Sequence, residues 1–209
     1  AVLVFPTYGQ GQGAEYLIDN VKFESEASAP PPEPVSFVIF EDEENPNWVA
    51  SDCCAGSTPA IVDDGGEQGN AVQFSIGSTN TVMGFISRTD AGAAEAEPFD
   101  ARDMINSGGT VSFDLKMTAS PGDVEWLFKL ESGDNTSFVE VPLPTSNEGH
   151  DAPELDTWQT YTFNLADLAQ AGANSNLDVS SIDAVLVFPT YGQGQGAEYL
   201  IDNVKFEDG

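Results

Sequence analysis

Positive charge and histidine are what this chain has least of. Six Lys and Arg and one His stand against 35 Asp and Glu in 209 residues, a formal charge of −29. So few cations cannot form the basic patch that nucleic acid or an anionic membrane surface requires. No apolar run reaches the ~18 residues that a membrane-spanning helix needs. His150 lies in the acidic loop SNEGHDAPE, with no Ser/His/Asp or Cys/His set to assemble around it. Carboxylate pairs are too plentiful to be diagnostic of glycoside hydrolysis. The expectation is a non-catalytic protein, and most of its acids are read as a solvated surface.

Cysteine is nearly absent as well: Cys53 and Cys54 are the only two, and they are adjacent. A metal site usually wants more ligands at C-x2-C spacing, and a redox pair wants C-x-x-C. In an oxidising compartment a vicinal disulfide, an intermolecular bridge or two buried thiols remain open. The vicinal disulfide is the preferred reading. It would strain the intervening peptide and present a hard apolar knob. Low Lys, abundant Asp, Gly, Ser and Thr, and a Pro-rich stretch point to a secreted, extracellular or cell-surface protein. Saline surroundings or bound calcium would answer the self-repulsion of so much negative charge.

The most informative feature present is a repeat. Residues 1–24, AVLVFPTYGQGQGAEYLIDNVKFE, recur unchanged as residues 184–207. A period this long is a whole domain, not a solenoid turn of about 20–50 residues. The chain therefore reads as one module of a tandem array plus the tail of the preceding one. Residues 1–23 are the last strands of that preceding repeat and 24–35 a Pro/Ala/Glu-rich linker. Residues 36–206 are the module, and 207–209 begin the next linker. Repeated strands in 1–23 have the same need to bury a face and pair their backbone, so docking onto a neighbouring repeat by strand addition is expected.

Period-two alternation with β-branched and aromatic residues marks strands at Phe37–Glu41, Ala71–Ile76, Thr81–Ser87, Thr110–Met117, Val124–Glu131, Ser137–Leu143, Thr157–Leu165, Ala184–Pro189 and Glu198–Phe206. Gly-, Asn- and Asp-rich clusters separate them. Short helical turns are expected at Phe99–Ile105 and Ala166–Ala171. The fold class is all-β, an antiparallel jelly-roll β-sandwich. Phe37, Phe74, Phe113, Phe128 and Phe163 are core by parity. Trp48, in the loop NPNWVASDCC, and Tyr191, in PTYGQGQG, are candidates for exposed platforms, with Trp126, Trp158, Phe85 and Phe188 less easily placed. Exposed rings on a rigid β scaffold bind the apolar faces of sugars. GQGQG lacks the lysine and the following helix of a phosphate loop.

The segments WVASDCCAGSTPAIVDD, GNAVQFSIG and TVMGFISR, then VSFDLKM, WLFKLES and TWQTYTFNLADL, closing with IDAVLVFPTYGQGQGAEYLIDNVKF, resemble β-sandwich carbohydrate-binding modules. In particular they resemble those appended to marine bacterial laminarinases and related β-glucanases. The resemblance implies binding of a polysaccharide, a β-glucan or algal glycan, without catalysis. The expected site is Trp48, Arg88, Trp126, Tyr191 and Gln193, with aromatic faces for rings and guanidinium and amide donors for hydroxyls. It also implies a structural calcium where the first and last strands meet, held by Glu41 and Asp202 with backbone carbonyls. The alternative function is a structural repeat of a giant surface adhesin or extracellular filament, its modules joined by strand addition. A fold does not fix a function, and the unchanged repeat favours that alternative, because domain arrays in filaments and adhesins are often near-identical.

Overall fold

Where apolar and polar residues alternate, a strand buries one face and wets the other. Two sheets built this way close over a shared core. The computed structural model describes residues 13, 15, 35–53, 59–66, 68–77, 82–133, 136–171 and 176–209. The chain divides into two compact units, Ala1–Glu33 and Pro34–Gly209. The strands expected in 1–23 and the linker expected at 24–35 lie outside the described residues, save Gly13, Glu15 and Val35.

Twelve strands are described: β1 Ser36–Glu41, β2 Glu43–Glu44, β3 Val49–Cys53, β4 Ala60–Asp63, β5 Asn70–Ser75, β6 Val82–Ile86, β7 Thr110–Ala119, β8 Trp126–Ser132, β9 Ser137–Pro142, β10 Gln159–Asn164, β11 Ile182–Pro189 and β12 Glu198–Glu207. Helices α1 Arg102–Ser107 and α2 Leu165–Gln170 are one to two turns each. A seven-stranded sheet runs β10-β7-β12-β1-β2, with β5 also on β12 and β4 on β5. A five-stranded sheet runs β3-β6-β11-β8-β9. All strand pairs are antiparallel, and the chain crosses repeatedly from one sheet to the other. This is the expected jelly-roll sandwich. The nine expected strands are found with ends shifted by a residue or two. The short β2, β3 and β4 escape a reading by alternation, because β4 is largely exposed and β2 has two residues.

Between the sheets the rings of Phe113, Tyr161, Phe163 and Phe128 stack at centroid separations of 4.3 to 6.3 Å. Phe74, Tyr199 and Trp126 form a second group. The buried Tyr199 hydroxyl donates to the Val187 carbonyl at 2.8 Å, tying β12 of one sheet to β11 of the other. Burying the ring without that acceptor would leave a hydroxyl unsatisfied.

Strand β6 approaches β11 so closely that Gly84, at φ +156°, admits no side chain. A Cβ there would lie 2.2 Å from the Val185 carbonyl oxygen. Gly84→Ala is therefore expected to lose about 3 kcal/mol of stability through forced separation of two paired strands. Chemical denaturation of the variant against the parent checks this.

Candidate functional site

The GQGQG connection follows β11. Its first turn is closed by the Gln193 amide donating to the Thr190 carbonyl at 3.1 Å. Tyr191 is carried at the tip with 47% of its surface exposed. Two contacts fix its ring. The hydroxyl donates to Glu140 Oε2 on β9 at 2.9 Å, and the ring meets Phe188 edge-on at 5.2 Å. Partial burial, with the Glu140 carboxylate beside it, pushes the phenol well above its ordinary pKa, so it stays a donor at any physiological pH. Gln193 is exposed on the same loop.

Beneath this corner lies the face of the five-stranded sheet turned away from the sandwich core. Ile86, Leu127, Ala184, Leu186 and Phe188 form a second apolar cluster there. Parity explains the split: on β11, Val185 and Val187 point into the main core while Ala184, Leu186 and Phe188 point the other way. Arg88, placed just past β6, donates to Asp183 at 2.7 and 3.0 Å and to Glu131 at 2.9 Å. Lys129 completes the row, 2.8 Å from Glu131. Two carboxylates thus hold the guanidinium, which is mostly buried. The Arg88 fork expected to meet sugar hydroxyls is committed to the protein.

Trp48 and Trp126 are corrected outright. Both are buried, at 0% and 2% exposure. The bridge between Asn45 and Trp48 turns the Trp48 ring into the core, where its indole N–H donates to the Glu97 carbonyl at 2.9 Å. Trp126 opens β8 with the inward parity of Phe128 and Leu130, and meets Tyr199 edge-on at 5.0 Å. Neither ring can serve as a platform. Of the five expected residues, only Tyr191 and Gln193 are brought together at the surface. The Cys53–Cys54 disulfide cannot be described, since Cys54 lies outside the described residues; the Cys53 backbone ends β3 opposite Val82.

The expected calcium pair also changes. On its outer edge β12 is shared: its first half pairs with β5 and its last half with β1. Asp202 sits at the split, 2% exposed. The register Phe40 opposite Val204 brings Asp42, not Glu41, level with it. The amides of Asp42 and Asn203 donate to the Asp202 carboxylate, of which Glu41 is no partner. Its other oxygen, Oδ1, has no hydrogen-bond partner. Burial, reinforced by the charges of Asp42 and Asp114, pushes the carboxyl up to about 6. Gly69 lets Asp42 reach in: at φ +74°, a Cβ there would stand 2.3 Å from Asp42 Oδ1. An orphaned buried oxygen beside like charges fits a hard cation. No group of three or more His, Cys, Asp or Glu able to hold a metal exists among the described residues, so an ion there would rely on backbone carbonyls and water as well.

Sequence reasoning passed over the outer face of the seven-stranded sheet. Ser112 and Asp114 of β7, Thr160 and Thr162 of β10, and Asn203, Lys205 and Glu207 of β12 line a polar groove of about 390 Å³ there. Their alternation with buried residues was the available signal.

No protein-family model matches this sequence, and no curated protein does. Solved structures share the fold. A family 30 carbohydrate-binding module of a cellulosomal cellulase from Clostridium thermocellum is 14% identical, over 83% of this chain and 98% of that one, with a TM-score of 0.57. A family 11 module from the same organism, in complex with a β-1,3-1,4-mixed-linked tetrasaccharide, is 16% identical over 82% and 94% at 0.51. An exo-β-agarase matches 82% of this chain with 25% of its own length, at 14% identity and a TM-score of 0.54.

The raised carboxyl of Asp202 makes a signed prediction. A folded-state pKa near 6, above the ordinary 3.8, means the ionised group destabilises the fold at pH 7. That penalty is complete above about pH 6 and gone below the ordinary value. In chelator, Asp202→Asn should therefore melt several degrees above the parent at pH 7, with the gain shrinking to nothing by pH 4. Paired melting curves across that range provide the measurement.

Proposed function

We propose that this chain is a non-catalytic, extracellular carbohydrate-binding module that takes a polysaccharide of β-glucan type at the Tyr191–Gln193 corner. The observation that carries the reading is an exposed tyrosine ring held in one orientation by Phe188 and Glu140. A pre-positioned ring offers its face to the C–H side of a sugar at little cost in ordering. The Gln193 amide adds a donor and an acceptor for hydroxyls. The jelly-roll fold shared with the family 30 and family 11 modules supports the same reading. The mixed-linked tetrasaccharide named for the family 11 structure is the reason for choosing a β-glucan. Repetition would add avidity, because linked weak sites raise each other's effective concentration.

Calcium belongs to this proposal as a structural ion. Asp202, with Asp42, would hold it at the split in β12, where it would neutralise the buried Asp202 carboxylate that the Asp42 charge opposes. A second reading is favoured by one observation, the unchanged recurrence of residues 1–24 at 184–207. It makes the module a structural repeat of an adhesin or filament, joined to its neighbours by strand addition.

Binding and stability measurements test this proposal. Tyr191→Ala should weaken binding to mixed-linked β-glucan about tenfold, the loss of about 1.4 kcal/mol, while leaving the melting temperature nearly unchanged. Trp126→Ala should instead cost about 3–5 kcal/mol of stability, as removal of a core ring does. If the parent ignores a broad panel of polysaccharides, the structural-repeat reading replaces the first. Calcium should raise the melting temperature relative to chelator through binding to the folded state alone, and Asp202→Asn should abolish that rise. Superimposable curves with and without calcium would remove the ion from the account.

A further inference from the structure

The groove on the outer face of the seven-stranded sheet has no role in the site at Tyr191. It is built by register. Thr160 lies opposite Asp114, and Thr162 opposite Ser112, across β10 and β7. Ser112 in turn lies opposite Lys205 across β7 and β12. Their neighbours Val111, Phe113, Leu115, Tyr161 and Phe163 point into the core, so these polar side chains stand on a rigid floor. Neighbouring strands are about 4.8 Å apart, and residues two positions along a strand about 6.7 Å. The hydroxyls are thus set out on a grid with the scale of a single sugar ring.

The groups are also pre-oriented. Asp114 accepts from Thr160 Oγ1 at 2.6 Å, from Gln68 Nε2 at 2.9 Å and from Asn203 Nδ2 at 2.8 Å. Asn203, in left-handed conformation at φ +53°, lies where the β12–β7 register shifts. Lys205 is 3.0 Å from Glu207. Strand parity places Trp158 on the same face, one step beyond Thr160. Its indole N–H donates to Asp64 Oδ2 at 3.0 Å, and the Lys116 ammonium lies 5.1 Å from the ring centroid. Lys116 itself is paired with Asp64.

These chemistries narrow the occupant. Asp114 already has three donors and is not free to bind a bare cation. Lys205 is balanced by Glu207, and a chain of charge −29 repels anions. What remains is a dense mixture of hydroxyl, amide and carboxylate donors and acceptors. That set is satisfied by a neutral ligand carrying many hydroxyls. The volume of about 390 Å³ falls within the range of small-ligand sites.

We propose that this groove is a second carbohydrate site, on the other sheet from the Tyr191 corner, which takes a neutral oligosaccharide along β10, β7 and β12 toward Trp158. The proposal rests on the carbohydrate-binding reading and extends it to a module with two faces, able to cross-link or lie between glycan chains.

Tryptophan fluorescence reads this site selectively. Trp48 and Trp126 are buried, whereas Trp158 is partly exposed two residues along the chain from Thr160 of the groove. The whole chain is titrated with neutral gluco-oligosaccharides of several linkages, following both fluorescence and calorimetric stoichiometry. The expected result is two sites per chain and a saturable change in tryptophan emission. Thr160→Val with Thr162→Val should remove that change and weaken one site at least tenfold, by loss of about two hydrogen bonds. Valine suits a strand, so the melting temperature should hold. Tyr191→Ala should spare the fluorescence change and lose the other site. A single site that answers to Tyr191→Ala and ignores the threonine pair overturns the groove and leaves the first site standing. Absence of any saccharide binding by the parent overturns both.

Discussion

Strand β12 is the element on which the rest of the module depends. It lies in the middle of the larger sheet, with β7 along one edge and β5 and β1 dividing the other. Its side chains Tyr199, Ile201, Val204 and Phe206 belong to the main core. An edge shared by two partners must have a place where one leaves and the other arrives, and there backbone groups lose regular ladder partners. Asp202 occupies that place and accepts amides from Asp42 and Asn203. The local solution leaves a buried carboxylate under strain from Asp42 and Asp114. The same strand carries Asn203, Lys205 and Glu207 to the outer groove, so one irregularity serves packing, charge and surface together.

Electrostatics follow from scarcity. Every Lys and Arg among the described residues forms an ion pair: Arg88, Arg102, Lys116, Lys129 and Lys205. Arg88 and Lys129 are drawn into one largely buried row with Glu131 and Asp183. Leaving any member of that row unpaired would cost more than the pairing yields, as is general for buried charges. Most of the other acids among the described residues are exposed to solvent. Their repulsion is screened by salt, which links the stability of such a module to the ionic strength around it.

The two sheets differ in what they offer. The five-stranded sheet keeps the apolar cluster on the face away from the sandwich core buried, and exposes Tyr191 and Gln193 at its corner. The seven-stranded sheet turns hydroxyls and carboxylates outward, with Trp158 two residues along the chain from Thr160. An aromatic platform and a hydroxyl-rich groove are complementary ways to hold sugars: one displaces water from C–H faces, the other matches hydroxyl groups. A sandwich has two such outer faces by construction, and binding on both needs no change in the core.

Alternation alone was enough to determine the fold class, nine of the strands and the inward parity of Phe74, Phe113, Phe128 and Phe163. Parity is a local property, and the sandwich makes it pay out everywhere. The exposure of Tyr191 was legible too, since a loop of Gly and Gln has nothing to bury. What the tertiary structure decided was direction where local pattern is silent. Trp48 stands in a polar loop, yet a bridge to Asn45 turns it inward. Asp42 and Glu41 are neighbours of the same chemistry, and only the register of β1 on β12 selects Asp42 to meet Asp202. The groove joins residues that lie tens of positions apart, and strand order alone makes them adjacent.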